Sequence, residues 1–160
     1  MPGSRRSPPR RLAKAKLAGA AVVAMAAGGA GDPALVPYTV AGDSIPASLT
    51  GHPGDPVRGR AIVLEREVST CLLCHGGPFP EVHFQGTIGP SLSGVGGRFS
   101  EGQIRLRLVN PAAINPGTLM PSFYTVTGLT RVGQQWQGKP VLTADQIEDV
   151  VAYLTTLRQP

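Results

Sequence analysis

Both cysteines of this 160-residue chain lie in one five-residue segment, CLLCH at residues 71–75. Cys-x-x-Cys-His is the attachment sequence of c-type haem. Two thiols at this spacing span the two vinyl groups along one edge of a porphyrin, and the next residue then lies beneath the ring, within reach of the iron. The segment therefore predicts one covalently bound haem c, with thioethers at Cys71 and Cys74 and with His75 as the proximal iron ligand.

Two other uses of these residues are open. A thioredoxin-like redox pair needs a strand-to-helix setting, whereas a helical pattern precedes the segment here. A zinc site needs four ligands, which would be Cys71, Cys74 and two of His52, His75 and His83 at irregular spacing. We favour haem over both alternatives, because the spacing of the motif matches haem attachment and neither alternative finds its usual setting.

The basic residues are concentrated near the N-terminus. The formal charge is +5, yet six of the fifteen basic residues precede the first acidic residue. Without those six, nine basic residues face ten acidic ones. The rest of the chain therefore lacks the basic excess that is typical of nucleic-acid binding, and no nucleic-acid partner is expected.

The first segment, residues 1–30, is predicted to be a secretory signal peptide. Its basic start is followed by an apolar run at residues 17–30, and small residues offer cleavage sites after Ala26 or Ala30. A retained anchor is the alternative, but this run is shorter than the roughly 20 apolar residues that a spanning helix needs. We expect the mature protein in the periplasm, with no membrane attachment after signal cleavage.

The mature chain is predicted to have an extended arm at residues 31–53 and one domain at residues 54–160. Proline and glycine interrupt the arm, which indicates little regular structure there. In the domain, long loops at residues 76–99 and 110–140 separate the helical patterns, and loops of this length are usually functional. Aromatic residues make up only 5% of the chain, so we expect a bound macrocycle to complete the core. The predicted fold class is all-α, with few helices and long loops that wrap one haem.

Capping residues give the expected helix starts. Asp55, followed by a proline, begins the first helix, which we expect to extend to about Glu67. Capping boxes at residues 100–103 and 143–146 begin the second and third helices. The third helix carries apolar residues at helical spacing, namely Ile147, Val150, Val151, Leu154 and Leu157. Because Gly59 lacks a side chain, the first helix is expected to approach the last one closely.

The second axial ligand of the iron decides between electron transfer and ligand chemistry. Methionine is the usual choice for electron transfer and raises the reduction potential. Met120, in the segment GTLMPSF, is the only methionine that remains after the leader, so we expect it as the distal ligand. A methionine that fills a gap in the core is the alternative, and His83 and His52 are further candidate ligands. Trp136 is expected either to donate its indole N–H to a haem propionate or to pack in the core.

The segment GPSLSGVGGRF, at residues 89–99, follows the haem motif at a characteristic distance. Class I cytochromes c carry a Gly-Pro-x-Leu-x-Gly segment at this place, and the chain resembles that family. The resemblance implies the class I cytochrome c fold. It also implies that the carbonyl of Pro90 accepts a hydrogen bond from the Nδ1–H of His75. Such a bond fixes the imidazole and increases its basicity as a ligand.

Longer segments resemble one branch of these cytochromes more closely. Residues 89–124, residues 128–132 (GLTRV) and residues 138–157 (GKPVLTADQIEDVVAYLTTL) are similar to the SoxX family, the monohaem subunits of SoxXA sulfur-oxidation complexes. The resemblance extends from about residue 38 to Leu157, which is nearly the whole mature chain.

The SoxX resemblance implies a periplasmic heterodimer with a SoxA-like cytochrome subunit. Such a complex is an L-cysteine S-thiosulfotransferase, which oxidatively conjugates thiosulfate to a cysteine of a SoxYZ-like carrier protein. The catalytic haem would lie on SoxA, so no catalytic residue is expected in this chain, which would pass electrons to an acceptor cytochrome c. The alternatives are a free-standing soluble periplasmic cytochrome c shuttle, and a haem sensor in which Met120 does not bind iron.

Overall fold

The computed structural model describes Gly3 and residues 35–159, where the regular structure is helical. The helices are α1 (Pro56–Leu64), α2 (Cys71–Cys74), α3 (Val95–Arg98), α4 (Glu101–Val109) and α5 (Ala144–Thr156), with 3₁₀ turns at Pro111–Ala113 and Gln134–Trp136. The β pairing in this part of the chain is one isolated bridge between Ala41 and Ser44. The all-α prediction is confirmed. The predicted signal peptide at residues 1–30 lies outside the described residues, apart from Gly3.

The start of α1 agrees with the prediction, and its end does not. The Asp55 carboxylate accepts hydrogen bonds from the backbone N–H groups of Val57 (2.7 Å) and Arg58 (3.3 Å), as a helix cap does. The predicted end at Glu67 is wrong, because the helix ends at Leu64.

A side-chain contact of Glu65 explains this early end. Its carboxylate accepts hydrogen bonds from the backbone N–H groups of Glu67 (2.6 Å), Val68 (2.6 Å) and Ser69 (3.0 Å). In a longer helix, those N–H groups would instead bond to carbonyl groups one turn earlier. The carboxylate thus replaces helical hydrogen bonds and turns the chain towards the CLLCH segment.

The capping boxes of α4 and α5 form as predicted. Ser100 Oγ accepts from the Gln103 N–H at 3.3 Å, and Gln103 Oε1 accepts from the Ser100 N–H at 2.9 Å. Thr143 and Gln146 make the same two hydrogen bonds, at 3.3 and 2.9 Å. These reciprocal bonds satisfy N–H groups that the first helical turn leaves without partners.

Helix α5 is the centre of the fold and packs against α1, α3 and α4. Its apolar face is buried, with Ile147, Val150, Val151 and Leu154 each at most 5% exposed. At the crossing with α1, a Cβ atom on Gly59 would lie 1.9 Å from the Asp149 carbonyl oxygen and 2.8 Å from Tyr153 Cβ. The predicted close approach of the first and last helices at Gly59 is confirmed.

The segment before α1 belongs to the core although it has no helix. Within residues 35–53, Ile45 is 1% exposed and Leu49 is 5% exposed. The Ile45 N–H donates to the carbonyl of Gly102 in α4 at 2.9 Å. This part of the predicted arm is therefore low in regular structure, as expected, but it packs against the helices.

A buried ion pair joins this segment to two helices. Arg105 Nε and Nη2 contact the two carboxylate oxygens of Glu148 at 2.7 and 2.8 Å, and both residues are 2% exposed. Arg105 Nη1 also donates to the Ile45 carbonyl (2.7 Å), and Glu148 Oε1 accepts from the Leu49 N–H (2.9 Å). Because the remaining polar atoms of the pair bond to the backbone, both charges are satisfied despite their burial.

Within residues 35–159, no helix is long and apolar enough to cross a membrane.

We predict that Gly59→Ala lowers the free energy of unfolding. Alanine gains about 0.5–1 kcal/mol of helix propensity over glycine, but forcing a methyl group into a closed crossing costs about 1–3 kcal/mol or more. Packing should therefore dominate, and a net loss of about 1–2 kcal/mol should appear as a lower urea midpoint. The control is Gly133→Ala, whose added Cβ would meet only the Gln135 side chain, at 3.1 Å or more. An unchanged or raised midpoint for Gly59→Ala would contradict the close crossing.

Candidate haem site

The two cysteines lie at the two ends of α2, a single helical turn. The residue before it, Thr70, has a left-handed backbone (φ 52°), one of two such non-glycine residues in residues 35–159. Leu72 is 1% exposed and fixes the turn to the core. Cys71 is half-buried, Cys74 is exposed, and no disulfide joins them. Residues three apart in a helix lie on one face, so both sulfurs are available to a single group on that side.

The turn that precedes α2 is held by buried polar contacts. Ser69 is 1% exposed, and its hydroxyl donates to the carbonyl groups of Ile62 and Glu65. The backbone N–H bonds from Glu67 and its neighbours lower the pKa of the Glu65 carboxyl. Neither Glu65 nor Ser69 belongs to a recognisable sequence motif, because nothing in their spacing shows that the chain folds back here.

Burial raises the pKa of the Cys71 thiol. A catalytic redox dithiol depends on a lowered thiol pKa, since the thiolate is the reactive form. The local environment of Cys71 therefore argues against the thioredoxin-like alternative.

The imidazole of His75 is oriented by a backbone carbonyl. Its Nδ1 lies 2.7 Å from the Pro90 carbonyl oxygen, which is the contact that the class I resemblance implies. A carbonyl can only accept, so Nδ1 carries the proton and the lone pair of the neutral ring is on Nε2. At Gly89, a Cβ atom would lie 2.4 Å from His75 Cε1, so this position must be glycine for the ring to remain there.

Backbone hydrogen bonds hold the following loop against the motif. The N–H groups of Gly86, Gly89 and Leu92 donate to the carbonyls of Leu72, Cys74 and Gly76, each at 2.8 Å. These three bonds attach the loop along the length of the CLLCH segment. Pro90 lies between Gly89 and Leu92, so the hydrogen bonds of these two residues fix the position of its carbonyl group.

Two side chains outside the predicted set complete this arrangement. Arg98 donates to the carbonyls of Ser91 (2.7 Å) and Ser93 (2.6 Å), next to Pro90. Gln85 closes the first part of the loop, because its Oε1 accepts from the Gly77 N–H (2.6 Å) and its Nε2 donates to the carbonyls of Phe79 (2.8 Å) and Val82 (3.0 Å). Neither residue belongs to a recognisable ligand motif, so only the tertiary structure identifies them.

The other predicted candidates differ in their exposure to solvent. Met120 is half-buried and packs against the core, and its N–H donates to Thr118 Oγ1 at 3.1 Å. His52 is exposed, 3.8 Å from Asp145, and His83 is exposed as well. Trp136 is 37% exposed, so the expectation that it packs in the core is wrong.

These groups fit a c-type haem. Two thiols lie on one side of a helical turn, and the following imidazole has its lone pair on the nitrogen that is not bound to Pro90. A zinc ion would need four ligands. In the part of the chain that the structure describes, no group of three or more His, Cys, Asp and Glu side chains is placed to hold a metal ion. The zinc alternative thus has no ligand set there.

The helical fold and the carbonyl-oriented histidine, which follows two cysteines at the spacing of haem attachment, define a class I c-type cytochrome. No protein-family model and no curated protein sequence matches the chain. Among solved structures, it is similar to a chain of the crystal structure of SoxXA from P. pantotrophus, with 40% sequence identity and a TM-score of 0.72. The match covers 80% of this chain and 99% of that chain. The chain therefore belongs to the SoxX family of cytochrome subunits.

We predict that Glu65→Gln reduces the loss of stability in acid. The folded-state pKa of Glu65 is lowered, so its contribution is present above the ordinary glutamate pKa of about 4.3 and is lost as the pH falls through the folded-state pKa. Urea midpoints measured from pH 7 to acid should fall less steeply in the variant, which should also be less stable at pH 7. Glu67→Gln, at an exposed neighbour, is the control. Identical pH profiles for Glu65→Gln and wild type would contradict this role.

Proposed function

We propose that the chain binds one haem c through thioethers at Cys71 and Cys74, with His75 and Met120 as the axial iron ligands. Support comes from the donor set on α2, from the lone pair that the Pro90 contact leaves on His75 Nε2, and from membership of the SoxX family. When bound, the haem iron would supply one-electron redox chemistry.

In this proposal the chain is the electron-transfer subunit of a SoxXA complex, paired with a SoxA-like cytochrome. The observation that carries it is the 40% identity to a chain of SoxXA over 99% of that chain. The complex would act as an L-cysteine S-thiosulfotransferase. A sulfur–sulfur bond forms between a cysteine thiolate of a SoxYZ-like carrier and thiosulfate, and two electrons leave the pair.

The division of roles follows from the cysteines of this chain. Both are needed for haem attachment, so the chain has no further cysteine to serve as an iron ligand or to react with thiosulfate. We therefore place the catalytic haem on the SoxA-like subunit and none of the catalytic residues here. This chain would accept the two electrons one at a time and pass them to an acceptor cytochrome c.

The proposed axial pair suits electron transfer. The Pro90 carbonyl holds the His75 ring in one orientation and makes it a more basic ligand. Met120 lies in a loop attached to the core, since the Phe123 N–H donates to the Leu108 carbonyl at 3.0 Å. Residues held in this way need to move little when an electron arrives or leaves.

Processing and location are part of the same proposal. Residues 1–30 would direct export and be removed, which leaves the arm at residues 31–53 and the cytochrome domain at residues 54–160 in the periplasm. A periplasmic location agrees with a covalent haem attached to two cysteines.

We predict that the chain, expressed with a SoxA-like subunit in a host that attaches haem c, elutes with that subunit. Thiosulfate and a SoxYZ-like carrier should then reduce its haem, as followed by the visible absorption spectrum. The SoxA-like subunit alone is the control and should turn over more slowly. Elution of the chain on its own, together with full activity of the partner alone, would support the free-standing shuttle instead.

We predict that Met120→Ala removes the weak near-infrared absorption band of a methionine-ligated ferric haem. The reduced variant should also bind carbon monoxide, because its sixth coordination position is open. Leu119→Ala is the control, since Leu119 is the neighbouring residue and is 86% exposed. Avid carbon monoxide binding by the wild-type protein would favour the haem-sensor alternative over electron transfer.

A further inference from the structure

Ser69 joins the end of α1 to the first cysteine of the CLLCH segment. Its hydroxyl donates to the carbonyl groups of Ile62 and Glu65. Its own carbonyl accepts a hydrogen bond from Cys71 Sγ at 3.7 Å. Because Ser69 is 1% exposed, water does not compete for these contacts. The sulfur of Cys71 is therefore connected to the end of α1 through a single buried residue.

Glu65 fixes the backbone of the same turn. One oxygen of its carboxylate accepts from the N–H groups of Val68 (2.6 Å) and Ser69 (3.0 Å). The N–H, the hydroxyl and the carbonyl of Ser69 are thus all bonded to residues of the turn or to its two ends. Three such contacts in different directions leave Ser69 one orientation, and with it the carbonyl that faces Cys71.

Thr70 connects this turn to α2 with an unfavourable backbone conformation. Its φ of 52° lies in the left-handed region, which β-branched residues rarely adopt. Such a conformation persists only where the surrounding structure holds it. Here the residues on both sides are anchored, since Ser69 and Leu72 are each 1% exposed. The position of Cys71 therefore depends on the turn and not on the local preference of the chain.

Cys74 is held by other contacts. Its carbonyl accepts from the Gly89 N–H at 2.8 Å, and the next residue, His75, donates its N–H to the Cys71 carbonyl at 3.0 Å. The side chain of Cys74 is exposed, whereas that of Cys71 is half-buried. Cys74 is thus positioned by α2 and by the loop that follows the motif, and the sulfur of Cys71 by the turn before it.

We propose that Glu65 and Ser69 are positioning residues for haem attachment at Cys71, an inference that rests on the proposed haem c. A thioether forms when a thiol S–H adds across a vinyl group: sulfur bonds to one vinyl carbon and hydrogen to the other, with no net gain or loss of electrons. The proton in the contact between Cys71 and Ser69 is the one transferred. The contact therefore acts before attachment and is lost with it.

Both thioethers require both sulfurs to fit the two vinyl groups of one porphyrin. With the turn intact, the sulfur of Cys71 is held in place while Cys74 reacts. Without the turn, the haem would be attached through Cys74 alone.

The test counts the thioethers in Glu65→Ala, Ser69→Ala and wild-type chains, each produced in a host that attaches haem c. The haem-loaded protein is unfolded and alkylated with iodoacetamide, and mass spectrometry of the motif peptide shows which cysteine is still a free thiol. Because a displaced group loses the advantage of proximity, the alkylated fraction of Cys71 should rise about tenfold in both variants. Cys74 should remain in thioether linkage.

Three further variants make the result specific. Glu67→Ala, at the exposed neighbouring glutamate, should keep both thioethers. Gly59→Ala should unfold more readily, as predicted above, and should also keep both, which separates positioning from stability. Cys71→Ser provides the spectrum of a haem with one thioether. The visible α band of the reduced Glu65→Ala protein should shift towards that reference.

Glu65→Gln retains one oxygen that can accept, so its alkylated fraction should lie between those of wild type and Glu65→Ala. This variant decides the matter if the alanine variants yield no haem-loaded protein.

Two results would overturn the positioning role alone. The first is a lower yield of haem-loaded protein in which every molecule still has both thioethers, because the turn would then only stabilise the fold. The second is alkylation of Cys74 as often as of Cys71, because the turn contacts the sulfur of Cys71. A wild-type chain without covalent haem would instead contradict the proposed function, so the two failures are distinct.

Discussion

The hydrogen bond between His75 Nδ1 and the Pro90 carbonyl oxygen, 2.7 Å long, is the contact on which the rest of the site depends. It assigns the imidazole proton to Nδ1 and leaves Nε2 free to bind a metal. The bond can form only because the loop that carries Pro90 is attached to the backbone of the cysteine motif. Gly89 contributes by its missing side chain, since a Cβ atom would occupy the position of the ring.

The helices provide a rigid support for these loops. Helix α5 packs on α1 at Gly59, and the Arg105–Glu148 pair connects α4, α5 and the segment before α1. A buried ion pair adds little net stability. Removing one partner is nevertheless strongly unfavourable, because the other charge is then buried without compensation. The pair therefore favours one relative placement of these elements, and the cysteine motif is positioned by that placement.

Much of the fold could be predicted from the sequence because its signals are local. The capping boxes and the apolar spacing of α5 depend on residues within one or two turns, and both were predicted correctly. The end of α1 was not, because Glu65 competes with the helical hydrogen bonds through its own side chain. The roles of Gln85 and Arg98 were also missed, since each bonds to backbone carbonyls that become neighbours only after the loop has folded.

The sequence by itself determined the chemistry: two thiols and an imidazole at the spacing of haem attachment, and a single methionine, Met120, after residue 30. These features depend only on the order of residues along the chain, so they can be recognised without knowledge of the fold. The tertiary structure alone decided which His75 nitrogen is free and how the loop that carries Pro90 is attached to the cysteine motif. Each of these depends on contacts between residues distant in sequence, and only the packed chain fixes such distances.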